Sequence, residues 1–318
     1  MYLEPVAHVE WSNLAAASPV EAAGPRAVPP FMFEPPDRQM IGHQATVPVP
    51  RDALAGRSSA FMPPPLVSTN FLALGDPGNI IPPDTHGAVG PDHVMTMLNT
   101  QVRIHDKTGA TISTVSLAVF WSPLLRSGRF DPRLMYDRNS GRWLATCDSN
   151  SRSANSSILF AISSTSNPTG AWTFYRIDAD ATNINWADFP DLGYNDTWVA
   201  ITNNMFAVSN DAFGGRAMWV IDKSTALAGG TITVTAFTAG FDLAGGFNGG
   251  TLRVCATSGN EAKLYLVDRS GLLDSLGVQL LRLSEITGTG AAPVWGATAG
   301  SAIPGSGLFP VANNFSGA

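Results

Sequence analysis

Three aspartates recur at matching places along the chain. They open the segments Asp84-Thr85-His86-Gly87-Ala88-Val89-Gly90, Asp131-Pro132-Arg133-Leu134-Met135-Tyr136 and Asp188-Phe189-Pro190-Asp191-Leu192-Gly193-Tyr194, 47 and 57 residues apart. If each precedes the innermost strand of a repeated unit, the three carboxylates face one axis. Carboxylates gathered at a cavity mouth need a proton, water or a cation to offset their repulsion. Oxygen ligands drawn from separate units suit Ca²⁺, so Asp84, Asp131 and Asp188 are candidate ligands of a channel calcium ion, the one cofactor the sequence suggests. Two carboxylates can also divide the acid and base work of glycoside hydrolysis, which makes Asp131 and Asp188 candidate catalytic groups. His86, beside Asp84, is the third, because imidazole titrates near neutrality. The plainer use of these aspartates is to cap turns by accepting bonds from following amides, and both uses stay open. Trp186, just ahead of Asp188, together with Arg133 and Asp191, supplies candidate ligand contacts. Asp92, Asp137 and Asp196 also recur, but in hairpin contexts that read as turns.

Other chemistries find little support. The sequence has no Gly-x-Ser-x-Gly elbow, no P-loop and no HExxH helix. A sialidase-type centre could be fitted to Arg133 and Arg142 with Tyr136 or Tyr194. It also needs a glutamate base, and only Glu261 and Glu285 follow residue 34. Cys147 and Cys255 are too few for a disulfide framework and read as two buried free thiols, with one bridge between them as the alternative.

The elements that must position these residues divide at a change in composition. Twelve of the 23 prolines lie in the first 65 residues, where apolar periodicity is absent. Each proline removes a backbone donor and fixes φ, so residues 1–70 read as a disordered or extended leader with at most a short helix near Val9–Ala17. Beyond Asn70 come short runs rich in β-branched and aromatic residues, such as Val94–Ile104, Arg142–Thr146, Ile158–Ser163, Trp172–Ile177, Thr197–Thr202, Ala217–Ile221, Thr231–Phe237 and Lys263–Val267. Gly, Asn, Asp and Ser separate them, which is the pattern of strands and turns. A second repeated element, a strand ending in a polar turn, appears at Asp106, Ser164, Asp222 and Asp268, at steps of 58, 58 and 46 residues. Periods of ~40–60 residues match one four-stranded propeller blade. The body, 71–318, is therefore an all-β propeller. Its blades fall near 81–120, 129–178, 187–238 and 247–285, with 286–318 a partial fifth blade or linker. Four units and a fraction suggest an incomplete ring, closed by a longer chain or a partner.

Charge and composition exclude further classes. The formal net charge is −6, which argues against nucleic acid as partner, since phosphate neutralisation needs clustered Lys and Arg. Charged residues make up only 14% of the chain, against about 25% in an ordinary soluble domain. No run approaches the ~20 apolar residues of a membrane span, and no secretory signal is visible at the start.

The segments Pro83–Val94, Phe130–Asp137 with Gly141-Arg142-Trp143, and Trp186–Gly193 resemble the blade openings of secreted or cell-surface bacterial β-propeller proteins. Ser164-Thr165-Ser166-Asn167-Pro168-Thr169-Gly170-Ala171-Trp172 is similar to a loosened Asp-box, the hairpin of sialidase-like propellers, in which Asn167, Gly170 and Trp172 serve as scaffold. The resemblance covers roughly residues 80–285 and implies an extracellular or surface setting. The leading expectation is a propeller module that binds a glycan or a surface protein, with a calcium ion in its channel. The alternative is a propeller glycoside hydrolase or polysaccharide lyase using Asp and His at the channel mouth.

Overall fold

The computed structural model describes residues 1–17, 69–78, 80–239, 241, 251–257, 259–274 and 279–296, with two-residue strands at 46–47 and 309–310. The chain opens with β1 (Tyr2–Leu3), β2 (Ala7–Glu10) and α1 (Trp11–Ala17), and β3 (Thr46–Val47) follows. The first blade comprises β4 (His86–Val89), β5 (His93–Met97), β6 (Gln101–Asp106) and β7 (Thr111–Ser116), followed by the short α2 (Leu117–Phe120). The second has β8 (Arg129–Asp137), β9 (Arg142–Ser149), β10 (Ser157–Ser163) and β11 (Ala171–Asp178). The third has β12 (Asn185–Tyr194), β13 (Trp198–Ala207), β14 (Phe213–Asp222), α3 (Lys223–Leu227) and β15 (Ile232–Phe237). The fourth has β16 (Arg253–Val254), β17 (Leu264–Asp274), β18 (Gln279–Thr289) and β19 (Ala292–Gly296), with β20 (Phe309–Pro310) alongside β18.

Each blade is an antiparallel meander, and the leading strands β4, β8, β12 and β16 abut one another in turn. This is the radial arrangement of a β-propeller. The cores lie between blades rather than inside a single one. On β9, Trp143, Ala145 and Cys147 pack toward the first blade, while Leu144 between them packs toward the third. On β10, Leu159 and Ala161 face the first blade and Ile158, Phe160 and Ile162 the third. The other face of the third blade, through Trp198, Ala200, Met218 and Val220, meets Leu264, Leu266 and Ile286 of the fourth. Side chains alternate across a strand, so a sheet buried on both faces reads as a continuous apolar run. That double burial also accounts for the low charge content.

The described strands differ from the sequence reading in three places. Residues 1–17 are not an extended leader. β1 pairs with β15 (Tyr2 opposite Thr233), and β2 pairs with β11 (Val9 opposite Trp172). Trp11 of α1 is 3% exposed, packs on Phe120 and donates from Nε1 to Ser113 Oγ at 3.0 Å. The remainder of the expected leader, to residue 68, lies outside the described residues apart from β3. Second, residues 286–296 complete β18 and β19 of the fourth blade instead of starting a fifth. Third, Asp106 and Asp222 do end the third strands of their blades and cap the following turns, but Asp268 lies within β17, a second strand. It is not their equivalent. A Val-Asp-Arg-Ser stretch looks like a turn until burial shows that its carboxylate is paired.

The hairpin between β10 and β11 is a scaffold. Asn167 Oδ1 accepts from the Thr169 amide at 3.0 Å, and Trp172, fully buried, donates to Pro168 O at 2.9 Å. Cys147 and Cys255 are both free thiols. Among the described residues no helix is long and apolar enough to cross a membrane.

Candidate functional site

The first strands of three blades share one distortion. The backbone takes positive φ at Asp84 (48°), Asp131 (53°) and Phe189 (59°). In the second and third blades this residue lies in a break of register, between Phe130 and Arg133 and between Asp188 and Asp191. Such bulges re-aim side chains at barrel and propeller rims. The left-handed position is open to Asp at small cost, but for a bulky residue such as Phe189 it is a true outlier. The structural repeat is therefore Asp84, Asp131, Phe189, and in the third blade the carboxylate stands one residue earlier, at Asp188.

These bulges bring the acids together. Asp131 is 1% exposed, and neither of its carboxylate oxygens accepts a hydrogen bond from a donor. The carboxyls of Asp84 and Asp188 act on it electrostatically. Asp84 is only half-buried and accepts from Asn99 Nδ2 at 2.6 Å, while Asn99 Oδ1 accepts from the Asp131 amide at 2.7 Å. One asparagine of the first blade thus fixes acids of two blades. Asp188 accepts from the Phe189 amide at 2.8 Å. Burial above all, with the charges of Asp84 and Asp188 added, pushes the Asp131 carboxyl well above the usual range. Burial likewise pushes Asp188 up to about 6, against the Phe189 amide, which lowers it.

A fourth acid escaped the sequence reading. Asp148 on β9 is fully buried, receives Asn203 Nδ2 at 2.5 Å on Oδ2, and has no partner on Oδ1. Burial, followed by the charges of Asp188 and Asp131, raises it well above the ordinary carboxylate range. Its sequence signal is a lone acid in the buried run Leu144-Ala145-Thr146-Cys147-Asp148-Ser149. Among the described residues, no three His, Cys, Asp or Glu side chains form a group with metal-binding geometry.

Of the remaining candidates, Arg133 still acts on Asp131 and Asp148 through its charge. His86 is engaged with the second blade. Its Nδ1 accepts from the Leu134 amide at 3.1 Å, and burial, then Arg133, lower its pKa, with Asp191 and Arg253 also acting on it. Arg133 donates from Nε to Pro190 O at 2.8 Å. Asp191 accepts from the Val254 amide at 2.8 Å and lies 3.5 Å from Arg253, joining the third blade to the fourth. Trp186 offers no open face to a sugar. It is 5% exposed, lies against Phe206 and beneath Arg152, and donates to Asp211 Oδ1 at 3.1 Å. The sialidase-type set is not assembled either, since Arg142, Tyr136 and Tyr194 sit at the far ends of their strands from Asp131 and Asp188.

No protein-family model matches the chain, and neither does any curated protein. Among solved structures it is similar to the GH43 endo-arabinanase of Bacillus licheniformis (16% identity, TM-score 0.35, 64% of this chain and 70% of that one). It is also similar to an exo-1,5-α-L-arabinanase from a bovine ruminal metagenomic library (12%, 0.39, 71% and 78%). A third is the subtype N11 neuraminidase-like protein of influenza A from a flat-faced bat (14%, 0.34, 66% and 57%). The chain thus spans little more than half of the neuraminidase-like protein. The propeller assignment rests on the sheet arrangement itself.

Proposed function

We propose that the chain carries the acid–base centre of a propeller-fold glycoside hydrolase, the alternative among the two sequence-based expectations. The observation that carries this reading is the gathering of Asp84, Asp131 and Asp188 at the leading ends of adjacent blades, with Asn99 tying Asp84 to the Asp131 backbone and each acid acting on its neighbours. Asp131 is the most buried of the three, and burial with its acidic neighbours favours the protonated form of its carboxyl. Asp188, shifted to about 6, is matched to donating a proton to a leaving oxygen near neutrality. Asp84, the member most open to solvent, is placed to activate water. Acid catalysis by such a group contributes ~10²–10⁴-fold. Release of reducing ends from a panel of neutral and acidic polysaccharides, compared with Asp188→Asn, tests the reading. Activity should fall as pH rises past about 6, and Asp188→Asn should lose ~10²-fold or more. Wild-type inactivity across the panel, or a fully active variant, sinks it.

The orphaned oxygens favour a second reading, a glycan- or protein-binding module with a bound cation. Both oxygens of Asp131, Oδ1 of Asp148 and Oδ1 of Asn203 are buried without partners, and oxygen donors suit Ca²⁺, although among the described residues no three acid or imidazole side chains form a ready metal group. A ligand of the folded state adds RT ln(1 + [L]/Kd) to stability. An unchanged melting temperature on calcium titration removes this reading.

A further inference from the structure

Beside the acids lies a second group of residues with the opposite character. Two positions beyond the left-handed residue of each blade stand His86, Arg133 and Asp191, and Arg253 of the fourth blade joins them. Phe189 supplies their floor. The Arg253 guanidinium carbon lies 4.6 Å from the centre of its ring and that of Arg133 lies 5.7 Å away. Both distances fall within the range of cation–π attraction. The ring is held there by a left-handed backbone conformation that is unfavourable for a bulky residue, and strain of that kind collects at functional sites. His86 accepts the Leu134 amide on Nδ1, so in its neutral form the proton sits on Nε2, which is a donor. The one carboxylate of the group, Asp191, is already engaged by the Val254 amide and, loosely, by Arg253. Two guanidiniums and an imidazole donor thus outweigh a single occupied acceptor. Burial above all, then Arg133 and to a lesser degree Arg253, lower the His86 pKa, while Asp191 raises it. Arg253 keeps 43% of its side chain exposed, so the group is open to a solute.

We propose that Phe189, Arg133, Arg253 and His86 form a subsite for an oxyanion carried on a sugar, so that the glycoside taken up by this chain is an acidic one. The proposal rests on the hydrolase reading for its setting. Its chemistry is that of guanidinium forks on a carboxylate or a sulfate ester, both planar-to-tetrahedral oxyanions that accept paired N–H bonds. Phe189 meanwhile offers an apolar edge to the sugar carbons.

Calorimetric titration of Asp188→Asn, which removes turnover, with three oligosaccharides of equal length tests it: a uronide, a sulfated galactan and a neutral galactan. Hydrogen bonds to charged groups are worth ~1.5–3 kcal/mol, so at least one acidic ligand should bind about 10- to 100-fold tighter than the neutral one. Arg253→Gln should erase that preference with little change in melting temperature. Arg253→Lys, which keeps the charge but not the fork, should restore part of it. If Asp188→Asn does not fold, the wild-type chain is titrated with the same three ligands carrying non-hydrolysable thioglycoside links. Preference for the uronide alone assigns a carboxylate, and preference for both acidic ligands assigns an oxyanion of either kind. Equal affinity for all three, no binding at all, or an Arg253→Gln variant that keeps the preference overturns the subsite. Acid-selective binding by a chain that hydrolyses nothing upholds the subsite and removes the hydrolase reading. Hydrolysis of neutral polymers without acid preference does the reverse.

Discussion

Buried charge occurs in this molecule at two kinds of place, and the two are handled differently. Between the blades it is paired. Asp268 accepts from Arg216 at 2.8 Å and from Arg282 Nε at 2.8 Å, and both arginines also donate to Phe241 O. Lys223 pairs with Asp137 at 2.6 Å, donates to Asn195 O and lies 5.3 Å from the centre of the Tyr194 ring. Every such group joins strands of neighbouring blades or ties a hairpin to the next sheet. At the axis, by contrast, Asp131 and Asp148 keep three carboxylate oxygens without donors and lie against other acids. Paired charge costs little once buried and fixes blade against blade; unpaired acid costs stability and is kept where chemistry can use it.

The largest expected effect comes from breaking a pair. Asp268→Leu leaves Arg216 and Arg282 buried without their acid and should cost about 3–5 kcal/mol, read as a lower urea midpoint. A loss below about 1 kcal/mol would mean that solvent reaches the pair and that the contrast with the axis is false.

The axis should respond to pH in the opposite sense from an ordinary ion pair. Asp188 has its pKa raised from 3.8 to about 6 in the fold, so the folded chain keeps a proton that the unfolded chain releases. Stability is then highest below the unfolded value and declines as pH rises through this window, by about 2–3 kcal/mol for one such group. Chemical denaturation at pH 4, 5, 6 and 7 should show the decline, and Asp188→Asn should flatten it. A rising profile over the same range would contradict the assignment.

Smaller still is the gain from neutralising the middle acid. Asp131→Asn should raise stability at pH 8 by about 1–2 kcal/mol, since it removes a buried carboxyl that lacks a donor, while activity is lost. The least of these effects is at Phe189. Glycine there should relieve about 1 kcal/mol of backbone strain, seen as a slightly higher melting temperature, while selectivity for acidic ligands disappears.

Much of the architecture was legible because its causes are local. Runs such as Ile158–Ser163 and Ala217–Ile221 are apolar at every position because both faces of the sheet are covered. The aspartate repeat marked the leading strands because the bulge there favours a residue that tolerates positive φ. What the sequence hid depends on pairing across blades. Asp148 sits on a second strand and meets Asp188 only after the second and third blades are assembled. Arg253 reaches Phe189 from a two-residue strand with no pattern of its own. The equivalence of Asp188 with Asp131 fails by one residue because the bulge of the third blade carries Phe189 at the left-handed position. The alternation Ala7-His8-Val9-Glu10 was a strand signal, but the prolines that follow it masked its meaning.

The opening segment of the chain has a consequence for the order in which the molecule can be built. Residues 1–17 lay one strand on the second blade, another on the third, and Trp11 and Leu14 against the first. Tyr2 faces Thr233, so these residues find their last partner only after β15 has been made. Contacts of such separation are slow to form, because loop closure must precede any gain from them. The edges of β11 and β15 therefore stay open during synthesis, and the N-terminal strands are the latch that shuts them.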